Sequence, residues 1–535
     1  MSEHDNRVLI YDCTLRDGTQ GEDVSLSVAD KLRIAERLDA FGIPYVEGGW
    51  PGSNPKDAEF FAKARNQSWR HSKITAFGST RHWKNSAAED PNLRMLLEAE
   101  TPAVTIFGKS WDFHVTHALK ITLEQNLQLV RDSVAFLKTA GREVIFDAEH
   151  FFDGYQANPE YALAVLEAAH AGGADWLVLC DTNGGNLPWT IERVTQEICR
   201  RFPRVGIHTH NDAELGVANS LAAVAAGARM VQGCMNGYGE RIGNANLTSV
   251  IPNLELKMGM ETVGRERLRE LSAVAHFVAE TANLAVPNNQ PYVGKSAFAH
   301  KGGVHVSAIL RDTRTYEHIE PEAVGNTRRV LVSDLSGRGN LLYKIREFGD
   351  IDIEHLDLQA LVQHIKKLEY EGYQFEGAEA SLKLLVHQHV GGTLQPFKVK
   401  GFRVIVDQVG DDGMISEATV KVVVGDRTEH TASDGNGPVH ALDRATKKAL
   451  ARFFPELEEV HLIDYKVRVL DAREGTAAKV RVLIESTDGE DNWTTVGVST
   501  NVIEASWHAI TDSLLYKLVF RRKPEEQPAG EPVRR

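Results

Sequence analysis

The stretches TLRDGTQ (Thr14–Gln20) and HTHND (His208–Asp212) each close a short apolar run, VLIYDC before the first and VGI before the second. Such runs read as β-strands. On a strand, residues i and i+2 point to the same side. His208 and His210 can therefore reach one ion, and Asp17 offers a hard oxygen ligand. A His-His-Asp set with open positions suits a divalent metal that binds and polarises a substrate oxygen. Whether the two stretches meet depends on the fold of the chain between them.

Eight apolar β runs can be counted: VLIYDCTL (from Val8), YVEGGW (from Tyr45), ITAFGST (from Ile74), AVTIFGKS (from Ala103), EVIFDAEH (from Glu143), WLVLCDTN (from Trp176), VGIHTHN (from Val205) and MVQGCMNG (from Met230). Helical patterns lie between them, as in residues Ser27–Gly42, Leu123–Gly141, Pro159–Gly173 and Leu215–Ala228. Several end in Gly, a common C-terminal signal. Alternating strand and helix predicts an α/β parallel sheet, and eight units in this length predict a TIM (β/α)8 barrel. A doubly wound open sheet is the alternative, but no GxGxxG follows a strand. In a TIM barrel the active site lies at the C-terminal ends of the strands. There the sequence puts Asp17, Glu47, Glu149, His150, Asp181, Thr182, Asn183, His208, His210 and Asn236.

The remainder changes character. Residues 281–392 are polar, with a helical pattern at His355–Gly372, and read as a mostly helical linker subdomain. Residues 393–522 carry strand, strand, helix twice, with Asn436 and Asn501 heading the helices. That predicts an α+β module with an internal repeat. The tail 523–535, KPEEQPAGEPVRR, is rich in Pro and charge and reads as disordered. The catalytic barrel is expected over residues 1–280.

The 535 residues carry a net charge of -14, with 42% hydrophobic and 25% charged residues. This composition is that of a soluble globular protein, and the acidic balance argues against a nucleic-acid partner. No run approaches the roughly 20 apolar residues of a membrane span. The four cysteines show no paired spacing and read as reduced thiols of a cytoplasmic protein.

Each candidate residue has a plainer reading beside the chemical one. Alternating histidines can be core residues, and an Arg-Asp pair after a strand can be a solvated turn. As a site, Asp17 takes the metal while Arg16 stabilises charge on an enolate or alkoxide oxygen. GYGERIGNANL (Gly237–Leu247) is a Gly-rich loop that can bring Asn244 near the metal, braced by Glu240 and Arg241. Glu149 is an ion-pair partner or an acid/base group. Thr182 is a strand-end cap or a donor to a substrate carboxylate. His300 and His305 are surface residues, or reach the mouth from a covering segment.

Together TLRDGTQ, HTHND, GERIGNAN and AHKGGVHVS (from Ala299) resemble the 2-isopropylmalate, homocitrate and citramalate synthase family, Claisen-condensing acyltransferases built on a TIM barrel. LRDG alone also occurs in related metal-dependent lyases that run retro-aldol reactions. The resemblance covers nearly the whole chain. It implies that Asp17, His208 and His210 hold a divalent metal ion (Mg, Mn, Co or Zn), with Asn244 at or near it. Arg16 and Thr182 would contact a 2-oxo acid. Glu149, His305 and Tyr316 would serve the half-reaction of the co-substrate acetyl-CoA. EGGWPGSNPKD (from Glu47), AFGSTR (from Ala76), KSWDFHV (from Lys109) and DTNGG (from Asp181) most resemble the branch that uses pyruvate, makes (R)-citramalate and opens the threonine-independent route to isoleucine. The close alternative is the branch that uses 2-oxoisovalerate on the way to leucine. The C-terminal module would then be a regulatory domain, with isoleucine as feedback inhibitor and a homodimer as the assembly. Three positions depart from the family pattern. Cys13 stands where Thr is commoner, Ser307 where some relatives carry an acid, and Asp147 where some pyruvate-selective relatives use a bulky aromatic.

Overall fold

The computed structural model describes residues 6–333, 337–349, 356–391, 395–408, 414–470, 475 and 477–521. The tail expected to be disordered, 523–535, lies outside the described residues. The chain divides into two compact units, residues 1–298 with 318–328, and residues 299–317 with 329–535.

All eight apolar runs of the first unit form strands: β1 (Leu9–Asp12), β2 (Tyr45–Gly49), β3 (Lys73–Ser79), β4 (Ala103–Lys109), β5 (Glu143–Glu149), β6 (Trp176–Asp181), β7 (Val205–Thr209) and β8 (Met230–Gly233). They pair in chain order as a closed barrel. Leu9 faces Met230 and Asp12 faces Gly233 where β1 meets β8, in parallel register. Strands sealed on both faces must be apolar nearly throughout, and every residue of β2, β6, β7 and β8 is buried. Tyr11, Tyr45, Ile145, Trp176, Val178 and Met230 fill the interior together with Cys13, Cys180 and Cys234. The barrel is therefore a packed core with chemistry confined to its rim. All four cysteines are unpaired thiols.

The helices begin and end where local chemistry dictates. Ser27 and Asp30 form a reciprocal capping box at the start of Val28–Phe41, as Thr122 and Gln125 do at Leu123–Thr139. The first of these helices stops at Gly42, whose φ of 96° is left-handed. Its inner face buries Ile34, Ala35, Leu38 and Phe41 in the layer between helices and barrel. Truncating Leu38 there would cost about 2–5 kcal/mol.

In the second unit, β9 (Ala299–His300) pairs with β10 (Arg329–Val330). Helices follow at Arg338–Phe348, Leu358–Glu371 and Glu379–His389. The C-terminal module is a repeat, but of three strands and a helix. β11 (Lys398–Gln408), β12 (Met414–Val424) and β13 (Arg427–Gly435) precede helix Pro438–Leu450. β14 (His461–Val469), β15 (Val480–Thr487) and β16 (Asn492–Ser499) precede helix Val502–Phe520. The two-strand reading misses the third strand of each repeat, β13 (RTEHTASDG) and β16 (NWTTVGVS), because neither alternates apolar and polar residues along its length. Asn501 caps its helix, accepting from the amides of Ile503 and Glu504. Asn436 does not cap the other. Pro438 opens that helix, so the extended Gly437 takes the cap position.

Candidate active site

The C-terminal rim of the barrel gathers the residues the motifs singled out. Asp17 follows β1, and its Oδ2 lies 3.7 Å from His208 Nε2 and 3.8 Å from His210 Nε2. The candidate donor atoms of these three side chains lie within 4.8 Å of one another. All three are at most 5% exposed. On β7, Thr209 points the other way, bonding Gly216 O at 2.8 Å and Ser220 Oγ at 2.9 Å in the helix layer. The period of two thus puts both histidines on the inner side.

Each ligand candidate has an orienting partner. Gln232 Nε2 donates to Asp147 Oδ1 at 2.9 Å, so its Oε1 faces His208 Nδ1 as an acceptor at 2.8 Å. A proton therefore sits on His208 Nδ1, and Nε2 is turned to Asp17. His210 is held differently, since Arg241 donates to its Nδ1 at 2.7 Å. The same guanidinium binds Asp212 with two hydrogen bonds, 2.7 and 2.9 Å, and reaches Thr182 O at 2.9 Å. Arg241 thereby pins the Gly237–Leu247 loop across the ends of β6 and β7, the bracing role expected of it.

That loop brings Asn244 opposite His210 in a single bridge. Two glycines are required for it to fold back. A Cβ on Gly239 would stand 2.1 Å from Asn244 Nδ2, and one on Gly243 would stand 1.9 Å from Gly237 O, both at positive φ. Asn244 is 1% exposed, and its Oδ1, like Asp17 Oδ1, is buried without a hydrogen-bond partner among the described residues. Two unpartnered buried oxygens beside two imidazole nitrogens fit a divalent cation: the donors are of the right kind, and leaving them bare costs about 1–3 kcal/mol each.

Arg16 is fixed from three sides. Its Nε donates to Glu47 Oε1 at 2.5 Å, its NH1 lies 3.2 Å from Asp17 Oδ2, and its guanidinium lies 3.6 Å from the Phe77 ring centroid. Glu47 is wholly buried and also accepts from Tyr11 OH at 2.6 Å. The planar fork suits two carboxylates and one aromatic face at once, which an ammonium could not.

Charge follows geometry. Burial alone would raise Asp17, but the Arg16 guanidinium leads the opposing effects that bring its pKa down to about 2. Burial, then the neighbouring His208, lowers His210 to about 4, so its ring is neutral at pH 7. Burial, then the Glu47 carboxylate, raises Asp147 to about 8, which keeps it protonated at the foot of the site. The site therefore offers the Asp17 carboxylate, a neutral His210 ring and the fixed Arg16 cation.

A cavity of about 230 Å³ is lined by Arg16, Asp17, Glu149, Thr182, His208 and His210, with Trp50, Phe77 and Phe107 as an aromatic wall. Thr182 Oγ1 accepts from the amide of His150 at 2.8 Å, which leaves its own proton to donate. Glu149 ends β5 directly beside Lys109 of β4 and forms an ion pair with it. The plainer reading of Glu149 thus holds alongside its place in the cavity. His305 and Tyr316 belong to the second unit, where their rings stack with centroids 4.2 Å apart and both side chains are exposed. His300 pairs there with Glu317 at 3.1 Å. Gln232 escaped the motif reading. Its only sequence signal is a polar residue inside the apolar run of β8, where it stands opposite His208 in the strand pairing.

Comparison with known proteins agrees with this layout. The family description HMGL-like matches residues 7–276, the homocitrate synthase post-HMGL domain-like description matches 292–372, and the LeuA allosteric (dimerisation) domain matches 376–518. The (R)-citramalate synthase of Aquifex aeolicus is 59% identical, over 97% of this chain and 99% of its own length. That of Geobacter sulfurreducens is 55% identical, over 96% and 97%. The 2-isopropylmalate synthase of Acidimicrobium ferrooxidans is more distant, 31% identical over 95% of each chain. On the barrel, the rim cluster and this full-length similarity, the chain belongs to the citramalate and 2-isopropylmalate synthase family of acetyl-CoA-condensing acyltransferases.

Proposed function

We propose that the barrel rim condenses acetyl-CoA with pyruvate and water to give (R)-citramalate and CoA. The observation that carries the reading is the convergence of Asp17, His208 and His210 beside Arg16 and Thr182 in one small cavity. Its full-length similarity to (R)-citramalate synthases, against distant similarity to 2-isopropylmalate synthases, favours pyruvate over 2-oxoisovalerate.

Asp17, His208 and His210, with Asn244, would hold a divalent ion, and Mg, Mn, Co and Zn are the candidates. Such an ion supplies Lewis acidity to the keto group of the oxo acid. For His210 to ligate through Nε2 its proton would have to sit on Nδ1, where Arg241 now donates, so that contact would have to be given up. The Thr182 hydroxyl donates to the pyruvate carboxylate. Glu149 or His305 removes a proton from the acetyl methyl group, and the resulting enolate carbon bonds to C2 of pyruvate. Arg16 stabilises the alkoxide formed as the C=O π bond breaks, and that oxygen then takes up a proton. Water cleaves the thioester, releasing citramalate and the CoA thiol. Tyr316 is assigned to the same acetyl-CoA half-reaction.

We further assign residues 1–280 to catalysis, 281–392 to a segment that covers the site, and 393–522 to dimerisation and feedback inhibition by isoleucine. The reaction would be the first step of the threonine-independent isoleucine route, in the cytoplasm. Among the described residues no helix is long and apolar enough to cross a membrane.

The test is release of CoA thiol from acetyl-CoA with a panel of 2-oxo acids, with and without EDTA. Activity with pyruvate that chelator abolishes is expected. Asp17→Ala and His208→Ala should each remove it, and full turnover in either variant would exclude this metal site.

A further inference from the structure

We propose that His364 and His389 form a metal site of their own, separate from the barrel rim, which takes a transition ion such as Zn²⁺ and staples two helices of the second unit together. The inference is independent of the reaction proposed above. The two histidines stand on helices Leu358–Glu371 and Glu379–His389. They are 25 residues apart in sequence, yet His364 Nδ1 lies 3.3 Å from His389 Nε2. Two imidazole nitrogens on one tetrahedral zinc ion, each bound at about 2.0–2.1 Å, stand about 3.3–3.4 Å apart. The observed spacing therefore suits one ion before either helix moves. Ring orientation agrees. Two rings in line along a straight hydrogen bond of this length would hold their centroids about 5.6 Å apart. These centroids are 5.0 Å apart, with the planes inclined at 43°. The rings thus meet at an angle, which weakens a hydrogen bond and is what two ligands of one ion require.

One ligand is oriented from behind. His389 Nδ1 donates to Leu385 O at 3.2 Å, the kind of partner that metal-bound histidines have on the ring's other nitrogen. The neutral ring then turns its Nε2 lone pair to His364. Without an ion, His364 Nδ1 donates to that lone pair. An ion takes the place of the bridging proton, which moves to the far nitrogen of the His364 ring. Burial, then the neighbouring His389, lowers the pKa of His364, which favours the neutral ring that ligation needs. Both histidines are half-buried beside an apolar cluster to which the same two helices contribute Leu361, Ile365, Leu385 and Val386. That packing sets the helix spacing, so the nitrogens are brought together by the core and not by their own contact. Half-burial leaves the remaining coordination positions to water. Two imidazoles suit Zn²⁺, Cu²⁺ or Ni²⁺ and not Mg²⁺, a hard ion that takes oxygen ligands.

Equilibrium dialysis of the metal-stripped full chain against Zn²⁺, read by elemental analysis, tests this. The wild type should hold one ion at the rim and one here. His364→Gln and His389→Gln keep a hydrogen-bonding side chain but no imidazole, and each should lose one ion per chain. Asp17→Ala should lose the other. In the Asp17→Ala chain Zn²⁺ should still raise the melting temperature and Mg²⁺ should not, and adding His364→Gln should abolish the rise. Zn²⁺ binding unchanged in both Gln variants would overturn the proposal, whatever further ions sit on surface histidines. A single wild-type ion that is lost in Asp17→Ala and kept in both Gln variants would overturn it too, and leave the rim site standing. A single ion lost in both Gln variants and kept in Asp17→Ala would support it while the rim reading fails.

Discussion

Replacing Gln232 with methionine isolates the part of the proposed metal site that holds no ligand atom. The thioether matches the amide in length, so little cavity is created. What disappears is the pair of hydrogen bonds, 2.8 Å to His208 Nδ1 and 2.9 Å to Asp147 Oδ1. Both partners are at most 5% exposed and would be left bare. At about 1–3 kcal/mol for each stranded group, Gln232→Met should lower stability by about 2–6 kcal/mol. Losing the acceptor that fixes the His208 tautomer should weaken metal binding about 10–100-fold, or about 1.4–2.7 kcal/mol. Two measurements separate the effects: calorimetric titration with Mn²⁺ or Zn²⁺ at a temperature where the variant is folded, and melting with and without metal. Metal in excess should raise the variant's melting temperature by less than it raises that of the wild type. A folded variant that binds metal as tightly as the wild type would refute the claim that Gln232 orients the ligand.

Three further outcomes are expected. Arg16→Lys retains charge but cannot bond Glu47, face Asp17 and stack on Phe77 together. Thiol release in steady-state assays should fall about 10²–10³-fold. Asp147 titrates near pH 8 when folded and near about 3.9 when unfolded, so folding takes up a proton between these values and wild-type stability falls as pH rises through the window. Melted in chelator, Asp147→Asn should gain on the wild type from about pH 5 to about pH 8, and a constant difference would contradict the protonated assignment. Gly243→Ala forces a Cβ to within 1.9 Å of Gly237 O at a φ of +98°, so the loop carrying Asn244 must shift. Melting and metal titration should show about 1–3 kcal/mol of destabilisation and weaker binding.

The barrel was legible because its signal is repeated. Eight apolar runs such as WLVLCD, separated by capped amphipathic helices, leave few other ways to bury so many strands. The candidate metal set was legible for a related reason. His208 and His210 obey a period of two, and Asp17 lies in the turn after the strand that closes the sheet. Gln232 and Glu47 act through partners on other strands, and register across a parallel sheet is not written in any one segment. β13 stayed hidden because its exposed face leaves polar residues at most positions. Asn436 misled because it stands just ahead of Pro438, and the proline moved the helix start beyond it.

Barrel closure has a consequence for when the site comes into being. Asp17 follows the first strand, while its histidine partners stand on the seventh, and β1 is brought round only by pairing with β8. A nascent chain or a seven-strand intermediate therefore has both motifs yet no binding site. Long-range contacts of this kind form slowly in folding, so tight capture of the proposed ion would mark completed molecules. Titrated during refolding, such an ion would report ring closure, its uptake lagging behind the helical signal.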